Sequence, residues 1–244
     1  MNPITHDFLA NCPKEDGFRM RGLEMTRLEG FIDAAFAFAV TMLVISFDSI
    51  PSTYDEMIYA IKSIPAFIVA VAQLIWVWHT HNIWSRRFGL DTTFTIFISS
   101  ALLIVVLIYV YPMRIMAGGM FSWMTDGYLP SNFGRINLEQ LRGMFVFLGA
   151  GFVALSLVFV LMYQYAIRLK AKLLLNDYEV FESRSLVIQW YGAAVCGGLC
   201  IVLALLLPQA WVLFSGFAFS LLGFWFPLAT GMRNKMAARL GLGA

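Results

Sequence analysis

The chain has 244 residues, of which 60% are hydrophobic and only 13% charged, and its formal net charge is +2. Soluble domains carry about 25% charged residues, so this composition, with a mean hydropathy of +0.74, excludes an ordinary soluble domain. Apolar runs long enough to cross ~30 Å of hydrocarbon point to an integral membrane protein, all-α, with one helical unit. The cysteines Cys12, Cys196 and Cys200 are odd in number, and two of them lie inside an apolar span, so they suggest no disulfide framework. Residues 1–24 are polar and mixed in charge, without the basic-then-apolar pattern of a signal peptide.

Six spans can be drawn in chain order. The first runs from about Leu28 to Phe47 and is ended by Asp48, Ser49 and Pro51. The second begins near Ser52 or Thr53, where Thr53 and Glu56 have capping-box spacing, and runs to Trp84; Pro65 inside it predicts a kink or short break. The third follows Asp91 as N-cap and reaches Pro112. A long connection, Arg114 to Gly143, contains a second capping candidate, Asn137 with Gln140. The fourth span covers Leu141 to Leu169, and the fifth Ser185 to Leu207. Pro208 and Gln209 turn the chain into the sixth, Ala210 to Met232. No strand pattern, repeat or low-complexity tract is visible.

Orientation follows from lysine and arginine. Lys14, Arg19, Arg21, Arg27, Arg86, Arg87, Arg168, Lys170, Lys172, Arg184, Arg233, Lys235 and Arg239 fall on one side of this topology. Only Lys62, Arg114, Arg135 and Arg142 fall on the other. The positive-inside rule places both termini in the cytoplasm.

A polar group facing hydrocarbon costs several kcal/mol, so each one inside a span needs a partner or a path to water. Asp33 lies about one turn inside the first helix. It reads either as a carboxylate stabilised by the helix N-terminus and headgroup water, or as a buried partner for a cation or imidazole on a neighbouring helix. His79 and His81, two positions apart on a helix, point in different directions and do not readily share a metal. Cys196 and Cys200 read as small packing residues, and no metal site is expected. Trp76, Trp78 and Trp84 read as core or interfacial anchors. Gly192, Ala193, Cys196, Gly197, Gly198 and Cys200 give the fifth span a small-residue surface for close helix packing, within or between subunits.

On the first span, Phe38, Thr41, Met42 and Ile45 recur at i, i+3, i+4 and i+7 and share one face. The ordinary meaning of such a stripe is contact with core or lipid, and Thr41 can satisfy its hydroxyl on its own i−4 carbonyl. Three or four residues further, the same face reaches Asp48 and Ser49 at the outer end. An apolar constriction with a hydroxyl inside it and an acidic mouth suits a cation pore, which several copies around a symmetry axis would enclose.

Arg27, Phe31, Asp33, Phe36, Ala37 and Thr41 resemble the signature that opens the first helix of the TMEM175-type potassium channels, Arg-x-x-x-Phe-Ser-Asp followed by a small-aliphatic run with a threonine. Trp76, His79 and Thr80 look like that family's Trp-x-x-His-Thr. The resemblance covers the membrane core and excludes residues 1–24. It implies a homotetramer of six-helix subunits in a bacterial inner membrane, with a pore lined by the first helix and no re-entrant filter loop. Carried over, the main hydrophobic constriction falls on Phe38, the threonine layer on Thr41 and further pore-lining positions on Met42 and Ile45. A structural polar network falls on Arg27, Asp33 and His79. Two departures stand out: Ile32 replaces the family serine, and Phe38 stands where the family has Ile or Leu.

The expected organisation is a cytoplasmic N-terminal segment, 1–24, a six-helix transmembrane channel domain, 25–232, and a short cytoplasmic tail, 233–244. The expected function is passive, potassium-preferring cation conduction, with potassium as permeant ion, no cofactor and no nucleic-acid partner. A proton-coupled secondary transporter using Asp33 and His79 is the rival, although such transporters place several ionisable or unwound elements near the midplane. No nucleophile–base pair or metal set points to an enzyme.

Overall fold

The computed structural model describes residues 4–45, 51–131 and 137–241. The chain starts with a short helix, α1 (His6–Ala10), capped by the Thr5 side chain, which accepts from the Phe8 N–H. Two antiparallel strands follow, β1 (Lys14–Glu15) and β2 (Phe18–Arg19), with Lys14 opposite Arg19 and Glu15 opposite Phe18. This hairpin corrects the expectation of no strand. Its strands are too short to show a period of two, and its legible mark is the Asp16-Gly17 turn, both residues at positive φ.

Helix α2 (Arg27–Ile45) begins with a reciprocal cap: the Thr26 N–H donates to Glu29 and the Glu29 N–H to the Thr26 hydroxyl, at 2.7 and 3.1 Å. The second expected span is two helices, α3 (Tyr54–Lys62) and α4 (Ile64–Phe88), broken at Ser63. Pro65 falls in the first turn of α4, where a missing N–H costs nothing. Helix α5 (Thr93–Met124) is capped by Thr92, whose hydroxyl accepts from the Thr95 N–H, one residue later than the expected Asp91 cap. It also passes through Pro112, so residues 114–124 of the expected connection are helical. A transmembrane helix tolerates the bond lost at proline when its surroundings re-satisfy the backbone.

The Asn137/Gln140 capping box opens α6 (Leu138–Arg168) as its spacing predicts. Helix α7 (Asp177–Leu206) starts well before Ser185, behind a second box of Asn176 and Glu179. Pro208 stops α7, with Leu207 before it in the extended region that proline imposes. A long 3-10 stretch, Gln209–Phe219, then runs into α8 (Ser220–Arg239), which reaches past Met232 into the expected tail. By length and composition five stretches among the described residues can cross a membrane: α4, α5, α6, α7 and Gln209–Arg239.

The tightest pair is α6 with α7. A Cβ on Gly149 would lie 2.8 Å from the Gly197 carbonyl oxygen, and one on Gly197 3.1 Å from that of Gly149. Ala193, Cys196 and Cys200 are buried along the same seam, and the Cys200 thiol faces the Phe145 carbonyl at 3.7 Å. The seam lies inside the subunit for Gly197, whereas Gly192 faces Trp225 of α8 and Gly198 faces open space. Phe159 stacks on Trp190 at 4.3 Å, and Trp190 meets Trp76 and Phe226.

The N-terminal segment is built into this bundle. Phe18 is fully buried against Phe88, with the Arg87 guanidinium 4.8 Å from its ring centre. Arg19 and Arg21 both grip Glu179 in the first turn of α7, with Nη2 to Oε2 distances of 2.8 and 2.7 Å. The hydrogen bond to Glu179 raises the Arg19 pKa above its ordinary value. Next to it, Glu182 accepts from Arg233 of α8 at 2.6 Å and pairs with Arg87 of α4. These ion pairs let α7 begin on two buried carboxylates.

Candidate pore face

Helix α2 packs against α4 and α5 along one side only. Ile32, Ala39 and Leu43 are wholly buried there and Phe36 nearly so. On the other side Phe31 is 61%, Phe38 57% and Val44 48% exposed, and Ala34, Ala37 and Thr41 are exposed with them. The predicted stripe therefore lies on the bare side for Phe38 and Thr41, with Met42 half-buried at its edge. Asp48 and Ser49 lie outside the described residues, as does the side chain of Ile45.

Thr41 donates its hydroxyl proton to the Phe38 carbonyl oxygen at 2.7 Å, an i−3 rather than an i−4 bond. A hydroxyl has one proton and two lone pairs, so the Thr41 oxygen keeps acceptor capacity on the bare face. Two α5 side chains hold the C-terminal half of α2. Tyr111 donates to the Met42 sulfur at 3.8 Å, and Arg114 Nη1 donates to the Leu43 carbonyl oxygen at 2.7 Å.

The three residues of the expected polar network do not bond to one another within the single chain. Asp33 is half-buried and accepts from the Trp78 indole N–H at 2.7 Å. Arg27 and His79 are exposed. The buried histidine of α4 is His81, whose Nε2 lies 3.1 Å from the Ser99 hydroxyl of α5. Ile32 is packed in the core, so the position noted as a departure makes apolar contacts and brings no hydrogen bond to the expected network. Among the described residues no cluster of three or more His, Cys, Asp or Glu could hold a metal.

Sequence reasoning missed Trp78 as the partner of Asp33, Thr26 and Glu29 as the cap of α2, and Arg114 as a donor to its Leu43 carbonyl. Thr-x-x-Glu spacing was readable at 26–29. The pairing of Arg114 with a carbonyl 71 residues away carries no local signal.

No family model matches the chain. A protein of Marivirga tractuosa named "Potassium channel" is 37% identical over 178 residues, covering 70% of this chain and 71% of that protein. The crystal structure of a threonine-to-alanine variant of the potassium channel MtTMEM175, in complex with a nanobody–MBP fusion protein, superposes with a TM-score of 0.78 at 30% identity. It covers 92% of this chain and 99% of the other. With identity and coverage of that order in sequence and fold, the chain belongs to the TMEM175 potassium-channel family.

Proposed function

We propose that this membrane protein is a passive, potassium-preferring cation channel in which four copies of α2 surround a central axis. The observation that carries this reading is the bare side of α2, where Phe38 and Thr41 stand exposed on a helix whose opposite side is buried. Turned to an axis, Phe38 forms an apolar ring that raises the cost of dehydrating an ion, and Thr41 supplies acceptor oxygens that replace part of its hydration. Met42 and Ile45 continue the lining, with Asp48 and Ser49 at the mouth. Arg27, Asp33 and His79 act at subunit contacts near the inner end of α2, and potassium is the permeant ion.

In this reading α2 is a sixth span: nineteen residues reach about 28 Å at ~1.5 Å each, close to the hydrocarbon thickness. Both termini then lie in the cytoplasm of a bacterial inner membrane. The test is cation efflux from liposomes carrying Phe38→Ala or Thr41→Val protein. A changed potassium-to-sodium ratio supports the assignment, and rates and ratios unchanged in both variants contradict it.

A further inference from the structure

We propose that Phe31 lines the conduction path as a second apolar ring, nearer the start of α2 than the ring of Phe38. This rests on α2 lining the pore. Phe31 precedes Phe38 by seven residues, nearly two full turns. The two rings therefore point within about 20° of each other and stand about 10 Å apart along the helix. Helix α2 runs from Arg27 to Ile45 without a proline or a break, so the rotation that turns Phe38 to an axis turns Phe31 to it as well. Phe31 is the more exposed of the two, 61% against 57%, while Ile32 beside it is fully buried.

Between the rings α2 carries Ala34 and Ala37, both exposed. Small residues let membrane helices approach closely, so alanines here suit neighbouring copies of α2 better than contact with lipid alone. Their single methyl groups also leave room between two wide rings. An ion on this path meets two apolar constrictions with a wider stretch between them, where water can stay with it.

Conduction then depends on charge at position 31, because charges lining a narrow path change the local cation concentration and the rate by about tenfold or more. Phe97 is the control: it is the fifth residue of α5, as Phe31 is of α2, and is 70% exposed. The experiment measures potassium efflux from liposomes containing equal amounts of purified Phe31→Lys, Phe31→Glu, Phe97→Lys or Phe97→Glu protein, with helicity and oligomer size measured on each sample. The expected result is efflux about tenfold lower in Phe31→Lys than in Phe31→Glu, and equal in the two Phe97 variants. Equal efflux in the two Phe31 variants overturns the proposal, as does the same difference in the Phe97 pair. If a charged Phe31 variant does not fold, Phe31→Cys is read instead, once labelling by a cationic thiol reagent is confirmed by mass. The reagent should cut potassium efflux about tenfold and leave the parent, whose Cys12, Cys196 and Cys200 are buried, unchanged. Efflux untouched in labelled Phe31→Cys overturns the proposal. If Phe38→Ala and Thr41→Val also leave rate and ratio untouched, the pore reading itself is what fails.

Discussion

Thr41 commits its one hydroxyl proton to the Phe38 carbonyl, so what it presents on the bare side of α2 is an acceptor. Serine has the same hydroxyl and valine has the same shape without it. Thr41→Ser is therefore expected to keep the potassium-to-sodium flux ratio of the parent, and Thr41→Val to lower it at equal protein loading. Trp78 and Asp33 form the other residue-scale contact that matters, since a half-buried carboxylate loses a donor if the indole is removed. Trp78→Phe should cost about 1–3 kcal/mol, read as a lower thermal midpoint in detergent with the helical content preserved.

At the scale of elements, the N-terminal strap and the α6–α7 seam carry separate expectations. Glu179 is wholly buried and receives both Arg19 and Arg21. Without Arg21, Glu179 keeps Arg19 as its partner, so the loss is smaller than the about 3–5 kcal/mol of breaking a buried pair outright. Arg21→Met should therefore release residues 1–24 to protease at a temperature where the parent is resistant. Gly197→Leu would drive a side chain into the Gly149 carbonyl and Val153, and overpacking of this kind costs about 1–3 kcal/mol. The measurement is the thermal midpoint, with Gly198→Leu, which points into open space, as the neutral comparison.

The helices and their caps at Thr53 and Asn137 were legible because hydropathy and capping are local properties. Helix ends were misplaced where long-range contacts decide them. Arg19 and Arg21 neutralise Glu179, more than 150 residues away, so α7 starts before its apolar stretch does. Pro112 marked an end that the surrounding bundle overrides. The face of Phe38 and Thr41 was readable from spacing of three and four residues, whereas the Arg114 bond to the Leu43 carbonyl exists only once α5 is laid beside α2.

The whole molecule is asymmetric in what it covers. One side of α2 is sealed by α4 and α5, and the other offers Phe31, Phe38 and Thr41 to whatever stands beside it. Lipid is one occupant of such a surface, and further copies of the chain are the occupant that the proposed channel requires. The most direct measurement is passive efflux of potassium, sodium and caesium from liposomes containing the purified protein, against protein-free liposomes. The account predicts efflux without a proton gradient, faster for potassium than for sodium, and altered in Phe38→Ala. Flux that saturates with substrate and requires a proton gradient would contradict it.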